Sequence, residues 1–336
     1  MQTQICNSII ETIGNTPIVS LRHPLLPNGK TLYLKLEQFN PTFSIKDRTA
    51  LGLIQAAFKS GTLKRGGTVI ESTSGNLGKS LAMLGAAMDF NVIIVVDPKV
   101  TTTNLNLYKV YGAQVEMVTT PDKQGGYQQA RIYRVKELLK LHVGAYWPNQ
   151  YDNPDNPTFH QNNTALEISH LDFDLLVGAV STGGHLTGIA RWFKANRPTT
   201  QVLACDVEGS AIFGTPFKPY LVNGVGLSWR ADNTDFSVFD HCYHISDQEA
   251  ISLCHIIARE RAILMGGSGG LVVYGALTYL HATNVKSALA LIPDTGINYL
   301  EQIYDEDWLS SKNIKLLTTH ALLKKIHIGA TKFNPK

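Results

Sequence analysis

Between residues 31 and 119 the chain alternates short β-branched runs with stretches of helical period. TLYLKLE (31–37), TVIES (68–72), VIIVVD (92–97) and AQVEMVT (113–119) read as strands. TALGLIQAAFKSG (49–61), LAMLGAAMDF (81–90) and NLNLYKVYG (104–112) read as helices, the first and last ending at glycine. Repeated strand–helix–strand units demand crossovers, so the strands run parallel and helices cover both faces of the sheet. The pattern resumes with DLLVGAVS (174–181), a helix near 186–195, QVLACDVE (201–208), an irregular stretch to about 240, helices near 247–261 and 269–282, and SALALIP (287–293). An α/β fold with two parallel or mixed-sheet lobes is expected, its ligand beyond the carboxyl ends of the strands. The Asn- and Pro-rich WPNQYDNPDNPTFHQNN (147–163) is the expected boundary and cleft wall.

Composition removes several function classes. With 44% hydrophobic and 17% charged residues, the chain has too much apolar content for disorder. The formal charge of +3 is spread out, apart from a basic tail over 312–336, so no nucleic-acid partner is expected. Cysteines at 6, 205, 242 and 254 match no zinc spacing, which predicts free thiols and no metal. No run of 18 apolar residues and no signal-like N-terminus occur, so no membrane partner and a cytoplasmic location are expected.

Three loops carry the chemistry. NPTFSIKDR (40–48) places Lys46 at a helix start, where the positive helix end disfavours an ammonium. That suits an amine that must be neutral to attack a carbonyl. ESTSGNLG (71–78) leaves a strand and enters a helix, with small residues whose N–H groups converge on an anion. STGGHLTG (181–188) has the same strand–loop–helix placement and the make-up of a phosphate cradle. TSGNLGKS (73–80) nearly reads as a nucleotide-binding P-loop, but Thr73 stands where its first glycine belongs. Lys79 is then expected to be a solvated helix residue.

In their order, NPTFSIKDR, STSGNLG, STGGH and GGSGG (266–270) resemble the pyridoxal-phosphate enzymes of fold type II, in the cysteine synthase/cystathionine β-synthase family. The likeness runs from SIIETIGNTPIVSL at about residue 8 to about residue 309. It implies pyridoxal 5'-phosphate as cofactor, held by the amine of Lys46, with Asn76 on the ring hydroxyl. Thr73, Ser74, Gly75 and Asn76 match the loop that grips the substrate α-carboxylate. Ser181, Thr182, Gly183, Gly184 and His185 occupy the cofactor-phosphate loop, which departs from the family's usual GTGGT at Ser181 and His185. Ser268 matches the serine facing the pyridine nitrogen. A serine there does not keep the nitrogen protonated, and the weaker electron sink suits β-elimination and β-replacement. The resemblance also implies a homodimer, with a smaller mobile lobe over 37–145 and a larger cofactor-binding lobe over 1–36 and 146–336.

PDKQGGYQQARIYRVKEL (121–138) and YWPNQY (146–151) look less like sulfhydrylases. They resemble a branch that joins O-phospho-L-serine to L-glutamate and releases phosphate, in 2,3-diaminopropionate and siderophore routes. Its phosphate-handling residues fall on Arg131, Tyr151 and Ser181. A phosphoryl leaving group brings nearly two negative charges, which a guanidinium meets with charge-assisted bonds. Trp229 and Arg230, in GVGLSWRADN (224–233), are candidates for shaping the second-substrate pocket. The competing readings are a cysteine synthase using sulfide, a dehydratase, and a cofactor-binding scaffold without turnover.

Overall fold

Aliphatic strands of the chain sort into two sheets. The structure, a computed structural model, describes residues 5–121 and 127–333. Edge strand β1 (Ile18–Ser20) runs antiparallel to β2 (Thr31–Leu36). Helix α1 (Lys46–Ser60) then leads through β3 (Thr68–Ser72), α2 (Asn76–Met88), β4 (Asn91–Val96), α3 (Thr102–Val110) and β5 (Gln114–Met117) to α4 (Gln128–Leu141). Strands β3, β4 and β5 form a parallel three-stranded sheet in sequence order. Gly61, at φ 75°, ends α1 in the left-handed conformation that a β-carbon disfavours.

The chain continues through α5 (Asp155–Phe159), α6 (Ala165–Ile168), β6 (Leu175–Ala179), α7 (Gly184–Asn196), β7 (Gln201–Val207), β8 (His241–Ile245), α8 (Asp247–Arg261), α9 (Gly267–Ala282) and β9 (Ser287–Ile292). It closes with α10 (Glu306–Ser311), α11 (Thr319–Ile328) and β10 (Thr331–Phe333). The larger sheet is ordered β1-β2-β9-β6-β7-β8-β10, parallel inside and antiparallel at both edges. Its two faces pack separate cores, one under α8 and α9 and one under α7. Among the described residues, no helix is long and apolar enough to cross a membrane.

Some elements depart from the expectations. The Asn- and Pro-rich wall is largely helical: α5 and α6 are joined by a π turn over His160–Thr164. Pro154 and Pro157 are tolerated because they sit at the start of α5, where a missing N–H costs no helical bond. Past residue 310, Leu322 and Ile326 are buried in the α8–α9 core, and β10 covers the edge of β8.

Beneath α1 lies a buried ionic cluster. Arg48 donates from Nε to Glu37 at 2.6 Å and from Nη2 to Glu167 at 2.7 Å, and Lys35 reaches Glu167 at 3.0 Å. Burial raises the Glu167 carboxyl, but Arg48 and Lys35 pull harder and bring it to about 2. A carboxyl held below its ordinary value of 4.5 stabilises the fold above that pH. This contribution fades as pH falls from 4.5 through about 2. Glu167→Gln should therefore be less stable than wild type at pH 7, and the gap should close near pH 2. A gap unchanged by acid, read from denaturant curves at both pH values, would contradict this.

Candidate active site

The turn 41–44 sets the start of α1 against the segment that follows β9, where Ser44 bridges Asp294. Buried Asp47 accepts from the Thr42 N–H at 2.7 Å and from the Thr42 hydroxyl, tying the first turn to the loop before it. Ile45 N–H donates to Pro293 O at 2.8 Å, which docks the turn beside the end of β9. Burial lowers the Lys46 amine to about 8, against the pull of Asp294. At neutral pH a useful fraction of that amine is unprotonated.

The 73–76 loop connects β3 to α2. Neighbours clasp its backbone: Asn104 Nδ2 donates to Ser74 O at 3.1 Å, and the Tyr108 hydroxyl donates to Gly75 O at 2.8 Å. Ser74 Oγ accepts from the Asp97 N–H at 3.1 Å and from Arg131 Nη1 at 2.9 Å. Arg131, buried on α4, also faces Asp97 Oδ2 from Nε at 3.2 Å. The predicted phosphate-handling arginine thus touches the predicted carboxylate loop. The glycine pair of its GGY segment lies outside the described residues.

Tyr151 is buried against Trp229, with ring centroids 5.2 Å apart, and burial raises its hydroxyl while Arg131 opposes that rise. Tyr151 O accepts from the Asn233 N–H at 3.1 Å, and the adjoining Thr234 packs beside Gly183 in the predicted cofactor-phosphate loop. Arg230 is exposed; its Nε donates to Ile212 O at 3.0 Å and its guanidinium covers the Phe236 ring.

Ser181 to Gly183 form the turn between β6 and α7, and Gly184 and His185 open the helix. Gly183 takes φ 79°, and a β-carbon there would lie 2.4 Å from Thr234 Oγ1. One on Gly184 would lie 2.0 Å from Asn156 Oδ1. Only glycines let the α7 N–H groups open onto this space. Ser181 Oγ donates to Gly226 O at 3.3 Å. Ser268, buried at the start of α9, lies 3.6 Å from where a Gly224 β-carbon would stand. The 224–226 segment therefore spans from Ser181 to Ser268. His185 is buried and neutral, lowered to about 3 by burial and the nearby Lys46, and its Nε2 lacks a hydrogen-bond partner. Asp294 Oδ1 and Thr234 Oγ1 are likewise buried without partners. A glycine-lined helix N-terminus, unpartnered polar atoms and a buried amine fit a phosphorylated aldehyde with a polar ring.

Three groups that were not among the expected site residues stand beside them. Asp294 accepts at Oδ2 from Asn76 Nδ2 at 2.7 Å and from the Tyr299 hydroxyl at 2.6 Å. Glu71 sits just before the 73–76 loop, pushed up to about 7 by burial and held by the Ser72 N–H, Trp147 Nε1 and the Gln150 N–H. Lys79, expected in solvent, is instead fully buried and donates to Asn298 Oδ1 at 3.0 Å. Its partners lie more than 200 residues away in sequence, where local polarity gives no sign of them.

Residues 9–294 match the family described as pyridoxal-phosphate dependent enzyme. An N-(2-amino-2-carboxyethyl)-L-glutamate synthase of Cupriavidus metallidurans is 40% identical over 313 residues, covering 91% of this chain and 92% of that protein. The crystal structure of a cysteine synthase from Entamoeba histolytica superposes with a TM-score of 0.87 at 29% identity, covering 98% of both chains. That of an O-ureido-L-serine synthase gives 0.84 at 31% identity, covering 96% of this chain and 100% of the other. With a cleft of this chemistry and these relatives, the chain belongs to the fold type II pyridoxal-phosphate dependent enzymes, in the cysteine synthase/cystathionine β-synthase family.

Proposed function

We propose that the enzyme replaces the β-phosphate of O-phospho-L-serine with the amine of L-glutamate, breaking Cβ–O and forming Cβ–N, to give N-(2-amino-2-carboxyethyl)-L-glutamate and phosphate. The observation that carries this reading is buried Arg131 bonded to Ser74, with Tyr151 nearby. A guanidinium at the edge of a carboxylate loop suits a donor with two anionic ends. It has five N–H donors, more than its contacts with Ser74 and Asp97 use.

When bound, pyridoxal phosphate supplies an electron sink that acidifies the donor's α-carbon and eases loss of its β-substituent. Ser181–His185 and the α7 N-terminus would hold the cofactor phosphate, Asn76 the ring oxygen, and Ser268 the ring nitrogen. Lys46 would anchor the cofactor through Nζ. Thr73, Ser74, Gly75 and Asn76 would bind the donor's α-carboxylate, and Lys46 Nζ would take and later return the α-proton. Arg131, Tyr151 and Ser181 would receive the departing phosphate. The three-stranded sheet with its helices, over 37–145, would close on the larger lobe and exclude water. The enzyme would work as a homodimer.

Arg131→Ala should lower kcat/KM for O-phosphoserine by roughly 10²–10³-fold, as loss of a charge-stabilising donor does elsewhere. With O-acetylserine the loss should be no more than about tenfold, because that leaving group carries less charge. Equal losses with both donors would remove Arg131 from the leaving-group site. The solved O-acetylserine-type relatives keep a second reading in view, a cysteine synthase using sulfide. Faster turnover with O-acetylserine and sulfide than with O-phosphoserine and glutamate would select it.

A further inference from the structure

Lys79 stands three residues past Asn76 on α2, and its burial within a family of catalytic loops calls for a purpose. An ammonium can only donate hydrogen bonds and a carboxylate can only accept them. These two ends set the direction of a four-residue relay. Lys79 Nζ donates to Asn298 Oδ1 at 3.0 Å, so Asn298 Nδ2 faces Asn76 and donates to its Oδ1 at 3.3 Å. Asn76 Nδ2 then donates to Asp294 Oδ2 at 2.7 Å. Neither carboxamide can turn over without setting oxygen against oxygen or N–H against N–H.

The relay crosses between layers. Asn76 and Lys79 belong to α2, beside the three-stranded sheet, whereas Asp294 and Asn298 follow β9 of the larger one. Asp294, Asn298 and Lys79 are all buried, so each bond forms in a medium where electrostatics are strong. Asp294 Oδ1 has no partner, and a β-carbon on Gly266, two residues before Ser268, would stand 2.1 Å from it. The charges of Lys46 and Lys79 both act on Asp294.

We propose that Lys79 and Asn298 are positioning residues for the cofactor ring. They hold the Asn76 carboxamide in one orientation, with one Nδ2 hydrogen on Asp294 and the other available to the ring oxygen. Lys79 also balances the buried charge of Asp294, which would otherwise fall to Lys46 alone. The inference rests on the assignment of Asn76 to the ring, but not on the identity of either substrate.

The test uses the cofactor-loaded enzyme without substrates. It reads the ratio of the near-ultraviolet to the visible band of the bound cofactor, and the cofactor's dissociation constant. Asn76→Ala sets the reference shift. Lys79→Met and Asn298→Asp should each move the ratio in the same direction as Asn76→Ala. The aspartate keeps the bond from Lys79 but cannot donate to Asn76. Each variant should weaken cofactor binding roughly tenfold, the loss expected for one charge-linked hydrogen bond. If Lys79→Met fails to fold, Lys79→Met combined with Asp294→Asn removes both charges and carries the same reading. A wild-type ratio and affinity in Asn298→Asp and in a folded Lys79 variant, with Asn76→Ala shifted, would overturn the proposal. An unshifted Asn76→Ala would overturn it too, by removing Asn76 from the ring. Because no substrate is present, failure of the phosphoserine–glutamate reading leaves these outcomes untouched.

Discussion

Lys46→Ala is expected to lower turnover by about 10⁴-fold or more with every donor and acceptor, since the proposed function gives one side chain both the anchoring of the cofactor and the movement of the α-proton. Its place explains why no neighbour can substitute. The amine stands at the first residue of α1, where the helix end and burial both oppose a positive charge. The other buried lysine of this region, Lys79, is committed to Asn298. His185 is lowered to about 3, too weak a base to stand in for an amine. With Lys46 at about 8, about a tenth of the amine is neutral at pH 7, against a few parts in ten thousand for an ordinary lysine. Reloading of the cofactor-free enzyme should therefore speed up as pH rises from 7 and level off above about 8. Borohydride reduction of the loaded enzyme should leave the cofactor on the peptide containing Lys46. Turnover by Lys46→Ala within tenfold of wild type, or labelling of another peptide, would end this assignment.

The parts of this molecule legible in its sequence are those whose signal is local. Strands β3, β4, β6, β7 and β9 are short aliphatic runs, and they lie within a residue or two of the expected places. The loops that carry Lys46, Asn76 and Gly183 were readable because small residues between a strand and a helix have few other uses. Helix α1 begins at Lys46, three residues before the apolar period starts, because Asp47 and Thr42 secure its first turn from the side-chain level. Strand β8, HCYHI, mixes histidines and a cysteine with its aliphatics, and only its pairing with β7 and β10 makes it a strand. The polar groups around Asn76 were hidden for a related reason. Asn76 and Asp294 are 218 positions apart, and the acid becomes a site residue only when β9 is laid beside the start of α1. Burial of Lys79 follows from the same packing, which no helical period within α2 could reveal.

A second large effect is expected from Arg48→Met, two residues beyond Lys46. Glu37 is fully buried and accepts from Arg48 Nε at 2.6 Å and Nη2 at 3.1 Å, a bidentate pair. It also accepts from the Thr16 hydroxyl at 2.8 Å and Asn40 Nδ2 at 2.7 Å. Through Glu167 and Lys35, the guanidinium joins the GNTP turn near residue 14, β2, α1 and α6. Methionine fills much of the same volume but leaves two carboxylates facing each other, with only Lys35 to balance them. Removing one partner from such a buried set costs about 3–5 kcal/mol, because the remaining charge is stranded rather than merely unpaired. The denaturant midpoint should fall accordingly with little change in slope. Adding Glu37→Gln to Arg48→Met should restore part of the loss, since the stranded charge goes with it. A loss below about 1 kcal/mol for Arg48→Met would mean that water reaches Glu37 and that the cluster behaves as a surface pair. The expected large loss would show instead that the helix presenting Lys46 is anchored by ionic bonds in its first turn, the same turn that presents the amine.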